Sequence, residues 1–496
     1  MDELSDLMKQ RLNKLEDLRS QGIPAYVNRF KTTSTISDLV EQVTALNAEE
    51  LEQFSAECVV AGRIMSFRSH GRSSFCHIRD GSAAIQIYLR LDVLGEENYR
   101  NLTKTLDIGD FIGVRGKPFR TRTGELTLAA QEVTLLSKSL RPLPEKWHGL
   151  KDVEIRYRQR YVDLIVNPQV REVFQRRSAI VQKIREFLIS RGYLEVETPM
   201  MQTIAGGAAA RPFITRHNAL SMELFLRIAP ELYLKRLVVG GYDRVFEINR
   251  NFRNEGIDSQ HNPEFTMLEF YTAYSDYKEM MDFVEELITA SAQQACGGLQ
   301  FDYQGASINL TRPWKRATFL GALKEIGGVP DSVLQEEGAL RGLLHSRGAA
   351  PHDLQSAGKM LGKLFELVVE PRLQDPIFIC DYPLDVSPLA KKKEDNPQLV
   401  ERFELFMAGM EVGNAYTELN DPIDQRQRFL EQVRRKEAGD AEAHAMDEDY
   451  LRALEYGMPP TAGVGIGIDR LVMFLTNSPS IRDVILFPLL RPETEG

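Results

Sequence analysis

Polar and apolar residues alternate along residues 244–253 and again along 265–271. This period of two predicts two strands, joined by the turn-rich segment 254–259. One face of the predicted hairpin carries charged side chains within its apolar pattern, among them Arg253 and Glu269. Because a buried charge without a partner costs several kcal/mol, these side chains indicate a ligand site. The alternative is a hairpin whose charged face is simply exposed to solvent.

A series of short strand-like runs, separated by turn residues, lies between residues 57 and 140. The runs are 58–67, 74–79, 84–89, 111–117 and 126–136. This pattern predicts a five-stranded β-barrel of the oligonucleotide-binding (OB) type. In such a barrel, nucleic acid is held by aromatic rings that stack on bases and by polar groups that read base edges. Phe75, Gln86 and Arg68 meet that requirement, although a phenylalanine on a strand is more often part of a core.

Apolar residues at helical spacing predict helices, and they are placed at 5–21, 38–54, 171–191 and 277–296. Residues 310–376 combine several helical runs with many turn residues, which favours an insertion. The fold class expected is α+β, with an antiparallel sheet and helices preceded by the barrel. The predicted organisation is a helical extension (1–56), the barrel (57–140), a linker (141–170) and a large second domain (171–496).

Three glutamates near the C-terminus, Glu404, Glu411 and Glu418, stand seven residues apart. The glycines and β-branched residues between them favour two strands over one charged helix. Oxygen donors of this kind suit Mg²⁺. Glycine then alternates with aliphatic residues over 463–467, which leaves one strand face bare for a flat ligand, and Arg470 follows at the start of a helix. The loop 204–211 is rich in small residues, as is typical either of close ligand approach or of a flexible surface loop.

The chain has 496 residues, 27% of them charged and 43% hydrophobic, which indicates a globular protein of two or three domains. No apolar run is long enough for a membrane helix, and the start resembles no targeting signal, so a cytoplasmic location is expected. Cysteines are few and scattered, which predicts free thiols. The net charge of −10 argues against general nucleic-acid binding. Residues 57–146, however, carry 14 Lys/Arg against 10 Asp/Glu, a modest basic excess.

Residues 252–255, Phe-Arg-Asn-Glu, followed by 262–266, Asn-Pro-Glu-Phe-Thr, resemble motif 2 of the class II aminoacyl-tRNA synthetases. The resemblance implies that Arg253 holds the α-phosphate of ATP, that Glu255 reads the adenine amino group and that Phe265 stacks on the adenine. A guanidinium matches phosphate oxygens and an aromatic face suits a purine. The ATP-binding set implied by the resemblance also includes His261 near the outer phosphates, Asn262, Glu404, Glu411 and Arg470.

Helix 171–191 with the short strand and proline after it resembles motif 1, the dimer-forming element of that family, and implies a homodimer. Residues 463–471 resemble motif 3, whose arginine meets ATP, and this role falls to Arg470. The resemblance assigns Mg²⁺ to Glu404 and Glu411. In the subclass that activates lysine, aspartate and asparagine (subclass IIb), an N-terminal barrel reads the tRNA anticodon, and this role falls to Arg68, Phe75 and Gln86.

The segment 387–391, Ser-Pro-Leu-Ala-Lys, is similar to that of the bacterial lysine enzymes of this subclass. The activity implied is ATP-dependent activation of L-lysine to an adenylate, followed by transfer to tRNA(Lys). An aspartate or asparagine enzyme, or a non-catalytic tRNA-binding relative, is the alternative. The lysine pocket implied by the resemblance consists of Gly207, Glu231, Arg253, Glu269, Tyr271, Asn414, Tyr416 and Glu418. Apart from Arg253, no lysine or arginine stands among these positions.

Overall fold

A computed structural model describes residues 5–144, 150–350, 354–440 and 442–492. The chain divides into two compact units, Met1–Lys151 and Asp152–Gly496. Residues 145–149 of the predicted linker and 351–353 of the predicted insertion lie outside the described residues. In the described range, no helix is long and apolar enough to cross a membrane.

The first unit contains a closed five-stranded barrel in the order β1-β2-β3-β5-β4. Its strands are β1 (Cys58–His70), β2 (Ser73–Arg79), β3 (Ala84–Arg90), β4 (Phe111–Arg120) and β5 (Leu126–Ser137). Side chains alternate between the barrel interior and its outer surface, so that Cys76 and Ile78 of β2 are buried while Phe75 and His77 are not. The predicted barrel is confirmed, and each strand differs from its predicted limits by a few residues.

Helices surround the barrel strands: α1 (Asp6–Ser20), α2 (Ile36–Thr44), α3 (Ala48–Glu52), α4 (Leu91–Leu94) and α5 (Glu96–Thr105). The single helix predicted over 38–54 is in fact two, α2 and α3, because Asn47 forms a new N-cap between them. Helices α4 and α5, between β3 and β4, were not predicted from the sequence.

An eight-stranded sheet forms the centre of the second unit, in the order β14-β15-β16-β17-β18-β11-β10-β6. Its members are β6 (Leu194–Glu195), β10 (Arg244–Phe252), β11 (Glu264–Ala273), β14 (Lys315–Thr318), β15 (Ile377–Pro383), β16 (Leu399–Met407), β17 (Met410–Thr417) and β18 (Thr461–Gly467). The central strands pair antiparallel, and only the edge pairs β14–β15 and β10–β6 are parallel. The predicted antiparallel α+β fold is confirmed, as are the hairpin β10–β11 and the two strands β16 and β17.

The remaining short strands are β7 (Met201–Gln202), β8 (Ile214–His217), β9 (Met222–Leu226), β12 (Gln300–Tyr303) and β13 (Ala306–Asn309). The helices are α6 (Val153–Arg158), α7 (Arg160–Val166), α8 (Pro168–Ser190), α9 (Glu231–Val239), α10 (Tyr277–Cys296), α11 (Phe319–Glu325), α12 (Asp331–Gln335), α13 (Glu337–Ser346), α14 (Ala357–Val368), α15 (Pro422–Glu437), α16 (Glu448–Glu455), α17 (Ile468–Leu475) and α18 (Ile481–Val484). Two 3₁₀ turns, Glu370–Arg372 and Leu384–Val386, flank β15.

Two segments differ from the sequence prediction. Residues 141–170 were expected to be a linker, yet α6, α7 and the start of α8 lie there, and Arg160 is buried against Asp163. The predicted insertion 310–376 contains α11 to α14, but it also contains β14, which belongs to the main sheet. Both differences arise from tertiary contacts that a short polar segment does not reveal.

Helices α8, α10 and α17 pack against the sheet and form the core that supports the site. Ile180, Ile184 and Leu188 of α8 follow one another at four-residue spacing and are fully buried. Proline at the first position of α8 suits a helix start, because its missing N–H has no partner there in any case. The four cysteines are free, as predicted.

Candidate functional site

A cavity of about 430 Å³ opens on the eight-stranded sheet of the second unit. Residues of β11, β16, β17 and β18 line it, together with the loop after β10 and the start of α9. Every residue predicted to bind ATP, metal or amino acid lines this one cavity: Gly207, Glu231, Arg253, Glu255, His261, Asn262, Phe265, Glu269, Tyr271, Glu404, Glu411, Asn414, Tyr416, Glu418 and Arg470. Residues more than 260 positions apart in the sequence therefore meet at one site.

Arg253 follows β10 directly and has no partner for one of its donors. Its Nε is buried and lacks a hydrogen-bond acceptor among the described residues. The guanidinium lies over the ring of Phe265, 5.0 Å from the ring centroid. Burial lowers the pKa of Arg253, and the nearby carboxylate of Glu255 opposes this shift. An arginine in this state is suited to an anionic ligand such as a phosphate or a carboxylate.

Arg470 is held in place by two partners at the start of α17. Its Nη1 donates to the carbonyl of Glu411 at 2.8 Å, and its Nη2 lies 2.9 Å from Nε2 of His261. Because a guanidinium can only donate, His261 accepts at Nε2 and carries its proton on Nδ1, which lies 2.9 Å from Oδ2 of Asp258. In this tautomer His261 connects Asp258 to Arg470 and orients Arg470 at the cavity.

Asp469, beside Arg470, joins three elements of the site and was missed from the sequence. Its carboxylate accepts from the backbone N–H of Thr266 at 2.6 Å and pairs with Arg177 at 2.6 Å. These contacts connect α17 to β11 and α8. The sequence does offer one signal, an acidic residue directly before Arg470 at the start of an apolar helix.

One end of the cavity is rich in buried carboxylates. Glu231 begins α9, Glu418 follows β17 and Glu269 lies on β11, and each is 5% exposed or less. Tyr416 donates to Glu231 at 2.6 Å, and Tyr271 donates to Glu269 at 3.3 Å. Burial raises the pKa of Glu269 to about 8, and Glu231 adds to this shift by repulsion.

Lys235 lies against two of these carboxylates. The lining predicted from the sequence did not include Lys235. It is fully buried on α9, donates to Glu231 at 2.6 Å and pairs with Glu418. Burial alone would lower the pKa of Lys235, but Glu231 and Glu418 raise it above its ordinary value. Carboxyl groups therefore outnumber buried ammonium groups at this end of the cavity. Burial raises the pKa of Glu418 well above its ordinary value, and Lys235 opposes this shift.

Two glycines make room for these carboxylates. A Cβ on Gly463 of β18 would lie 2.2 Å from Oε1 of Glu418 and 2.4 Å from the ring of Tyr271. A Cβ on Gly207 would lie 3.1 Å from Cβ of Glu231, and the φ of Gly207 is +88°, which side-chain-bearing residues rarely adopt. Gly463 of the predicted bare strand face and Gly207 of the predicted small-residue loop therefore lie at the carboxylate-rich end of the cavity.

Glu404 and Glu411 lie at the other end, on β16 and β17. Glu404 accepts from Arg402 at 2.5 Å and from Tyr382 at 2.8 Å, while Glu411 is more exposed and 3.7 Å from Arg470. Sequence reasoning missed Arg402. It shares a face of β16 with Glu404, but its contact with Asn414 depends on the pairing of β16 with β17.

These carboxylates fit a divalent cation. Burial raises the pKa of Glu404, with Arg402 opposing and Glu411 adding to the shift. Burial also raises the pKa of Glu370 to about 7, with repulsion from Glu404. Oxygen donors crowded with like charge are suited to Mg²⁺. Within the described ranges no group of three metal-ligating side chains is present, so such an ion would need further ligands from phosphates.

The outer face of the barrel in the first unit carries a row of aromatic rings. Phe75 of β2 stacks on Tyr88 of β3 with centroids 4.5 Å apart, and Tyr88 meets Phe119 of β4 at 5.8 Å. These rings are not part of the buried barrel core. Arg68 is exposed on β1 and pairs in register with Phe75. The sequence identified Phe75 and Arg68 but missed Tyr88 and Phe119.

Gln86 faces the same side of the barrel and is already hydrogen-bonded. Its amide donates to Glu125 at 2.9 Å, and its oxygen accepts from Thr127 at 2.8 Å. Glu125 also contacts His77 at 2.9 Å. Glu125 was missed from the sequence because its approach to Gln86 depends on closure of the barrel.

Comparison with known proteins agrees with this arrangement. Residues 152–491 match the family model of class II tRNA synthetases (D, K and N), and residues 58–136 match that of an OB-fold nucleic acid binding domain. The chain is 57% identical over 493 residues to a lysine–tRNA ligase of Pelotomaculum thermopropionicum, covering 99% of this chain and 96% of the relative. It is 57% identical over 490 residues to a lysine–tRNA ligase of Carboxydothermus hydrogenoformans, covering 99% of both. It is 53% identical over 491 residues to that of Syntrophomonas wolfei, covering 99% of this chain and 98% of the relative.

The family model covers more than half of the chain, and the relatives match nearly all of it, so the resemblance seen in the motifs is confirmed. The chain therefore belongs to the class II tRNA synthetases of the aspartate, lysine and asparagine group.

Proposed function

We propose that this protein is a cytoplasmic lysine–tRNA ligase. It activates L-lysine with ATP to form lysyl-adenylate and pyrophosphate, and then transfers the lysyl group to the 3′ end of tRNA(Lys). The near full-length similarity to proteins named lysine–tRNA ligase supports this assignment.

The observation that carries the choice of amino acid is the excess of buried carboxylate at one end of the cavity. Among the described residues, Glu231 and Glu418 share one ion-pair partner, Lys235, and Glu269 lies close enough to Glu231 for repulsion to raise its pKa. An aspartate side chain would place a fourth carboxylate among them, whereas a lysine side chain brings an ammonium with three donors. We assign the ε-ammonium to Glu269, Tyr271 and Glu418, and the α-ammonium to Glu231 and the backbone of Gly207. Asn414 and Tyr416 complete the lining.

The reaction requires no protein nucleophile. The substrate carboxylate is already ionised; its oxygen attacks the α-phosphorus, and the bond to pyrophosphate breaks. Arg253, whose buried Nε lacks a partner, is placed to hold the α-phosphate and the carboxylate, and Arg470 to stabilise charge on the phosphates. The adenine is assigned to Phe265 and Glu255; since Arg253 lies over the Phe265 ring, a stacked purine would use the opposite ring face. His261 and Asn262 belong to the phosphate side.

Glu404 and Glu411 are the residues that would hold Mg²⁺. The ion supplies neutralisation of phosphate charge. Arg402 holds the carboxylate of Glu404 in a fixed position next to Asn414.

Two further parts of the proposal concern partners. The row Phe75, Tyr88 and Phe119 offers faces for stacking on unpaired bases of the anticodon, with Gln86 and Arg68 at its side. A homodimer through α8 and the strand after it is supported by large apolar side chains left exposed there. They are Ile189 (54% exposed) and Leu194 (47%).

The test is ATP–pyrophosphate exchange with each of the twenty amino acids in turn. We expect exchange with L-lysine and little with aspartate or asparagine. Exchange that responds to aspartate or asparagine instead would overturn the amino-acid assignment while leaving the family membership intact.

A further inference from the structure

Lys235 is a fully buried ammonium that the proposed reaction does not use. It lies one helical turn after Glu231 on α9, and its Nζ donates to Glu231 at 2.6 Å and pairs with Glu418. The ring of Tyr416 lies 5.4 Å from Nζ on another side. Lys235 therefore contacts three of the residues assigned to the substrate without lining the cavity itself.

Among the described residues, no cation other than Lys235 pairs with Glu231 or Glu418. His444 lies in the loop before α16, and burial lowers its pKa to about 4, so its imidazole is neutral. Tyr450 of α16 is fully buried and its hydroxyl has no hydrogen-bond partner among the described residues. Arg236, the next residue, turns away to Asp447.

The charges around Lys235 match a particular kind of ligand. At a pH where Glu231, Glu269 and Glu418 are all ionised, Lys235 compensates one of three negative charges and leaves two. A free L-lysine carries two ammonium groups, besides a carboxylate that Arg253 can take. An amino acid with an uncharged side chain would leave one buried carboxylate without a partner, which is costly.

A second buried lysine in the chain shows the contrast. Lys138 of the first unit also meets two carboxylates, Asp107 at 2.6 Å and Asp110 at 2.7 Å. Burial by itself would raise the pKa of Asp107, but hydrogen bonds from Lys138 and Lys14 hold it below its ordinary value. The Lys138 cluster is thus satisfied by its own cations, whereas the Lys235 cluster is not.

We propose that Lys235 is a positioning residue for the amino-acid substrate. Its ammonium aligns Glu231 and Glu418 and offsets one of the buried negative charges, and it leaves the pocket the two uncompensated carboxylates that a substrate with two ammonium groups requires. Lys235 acts through these carboxylates and makes no contact with the reacting atoms. This role rests on the proposed function, because it takes L-lysine as the substrate.

The test compares Lys235→Gln, which removes the charge but keeps a hydrogen-bond donor, with Lys235→Arg, which keeps the charge. The KM values for lysine and ATP are measured by pyrophosphate exchange between pH 6 and 9. We expect Lys235→Gln to raise the KM for lysine roughly tens-fold at pH 7 and to change the KM for ATP less than about two-fold.

The pH dependence of the KM for lysine separates a loss of charge from a loss of packing, because a loss of packing alone would not change it. Burial raises the pKa of Glu418 well above its ordinary value, and the ammonium of Lys235 opposes this rise. Without Lys235, Glu418 keeps its proton to higher pH, and the protonated form binds an ammonium poorly. The fall of the lysine KM with rising pH should therefore shift upward by roughly one pH unit or more in Lys235→Gln. Lys235→Arg should restore most of the wild-type profile.

Lys138→Gln is the matched control, since it removes an equally buried, doubly paired ammonium outside the cavity. It should reduce thermal stability and leave the KM for lysine unchanged. If Lys235→Gln behaves like Lys138→Gln, with lower stability but an unchanged lysine KM and pH profile, the positioning role is overturned. If the wild-type protein exchanges with another amino acid and not with lysine, the proposed function fails, and this role fails with it.

Discussion

The amino-acid end of the cavity and the outer face of the barrel are two candidate recognition surfaces built on opposite principles. In the cavity, charged groups are buried and only partly compensated, as Glu269 and Glu418 show beside Lys235. On the barrel, aromatic rings are half-exposed and the polar groups have partners, as Gln86 has in Glu125. The first surface suits a small ion that completes its charge, and the second suits neutral bases that stack. Removing one side chain should therefore change the KM for the ligand more in the cavity than on the barrel.

Glu418→Gln should produce the largest effect. It removes a buried charge from the set assigned to the substrate ammonium, and loss of one partner in such a contact costs about 2–5 kcal/mol. The KM for lysine in pyrophosphate exchange should rise tens-fold or more, with ATP affinity nearly unchanged. Glu285→Gln is a control of equal burial, because Glu285 pairs with Arg312 away from the cavity. An equal rise in lysine KM in both variants would contradict the pocket assignment.

Glu269 should make substrate binding depend on pH. Its pKa of about 8 means that it is largely protonated at pH 6, and an ammonium binds its ionised form. The KM for lysine should fall as the pH rises toward about 8, by up to about tenfold per unit. In Glu269→Gln the KM for lysine should be higher at pH 8 and its pH dependence weaker. If the KM for lysine depends on pH in the same way in the variant and the wild type, Glu269 is not the cause of that dependence.

The same carboxyl should affect stability in the opposite direction. A carboxyl whose folded-state pKa lies above its unfolded value of 4.5 destabilises the protein as pH rises between those two values. The ligand-free Glu269→Gln protein should therefore have a higher melting temperature than the wild type at pH 8, and a similar one near pH 5. Calorimetry at both pH values checks this, and a wild type that gains stability from pH 5 to 8 relative to the variant would disprove it.

Phe75→Ala should have a smaller effect that is confined to tRNA. Loss of one stacking ring costs roughly 1–3 kcal/mol, and Tyr88 and Phe119 remain. The KM for tRNA in aminoacylation should rise, while lysine-dependent pyrophosphate exchange stays unchanged. Equal loss in the two assays would show that Phe75 serves the packing of the barrel.

Glu125→Gln should have the smallest effect. Its contacts with His77 and Gln86 are exposed, and exposed ion pairs contribute less than about 1 kcal/mol. The KM for tRNA should change by a few-fold at most. Glu132→Gln, another exposed acid of the barrel, provides the baseline. A tens-fold change in the KM for tRNA in the Glu125 variant would mean that this carboxylate contacts tRNA directly. Single charges would then matter as much on the barrel as in the cavity.

The motifs allowed much of the site to be predicted because each motif places its residues by local geometry. The alternation of β10 and β11 brings Arg253 and Glu269 to the cavity, and the glycines of β18 mark its floor. Lys235 was not predicted as part of the site, because its burial arises from elements distant in the sequence. Its spacing of four from Glu231 places both residues on one helix face, but the same spacing is common in exposed ion pairs.

Arg402 and Glu125 were missed for a related reason. Arg402 reaches Asn414 on the paired strand β17, and this contact depends on the register of two strands. Glu125 follows a turn and meets Gln86 only when β3 and β5 close the barrel in parallel. Sequence patterns of period two give the face of a strand, but they do not give the partner across it.

The glycine at 463 limits how this protein could be redesigned for a different amino acid. Its strand already contributes no side chain opposite Glu418 and Tyr271, so no volume can be gained there by substitution. Space for a longer or branched substrate has to come from other lining positions, among them Leu389, Ala390 and His444. A library aimed at new substrates should therefore vary those three positions and keep residue 463 fixed.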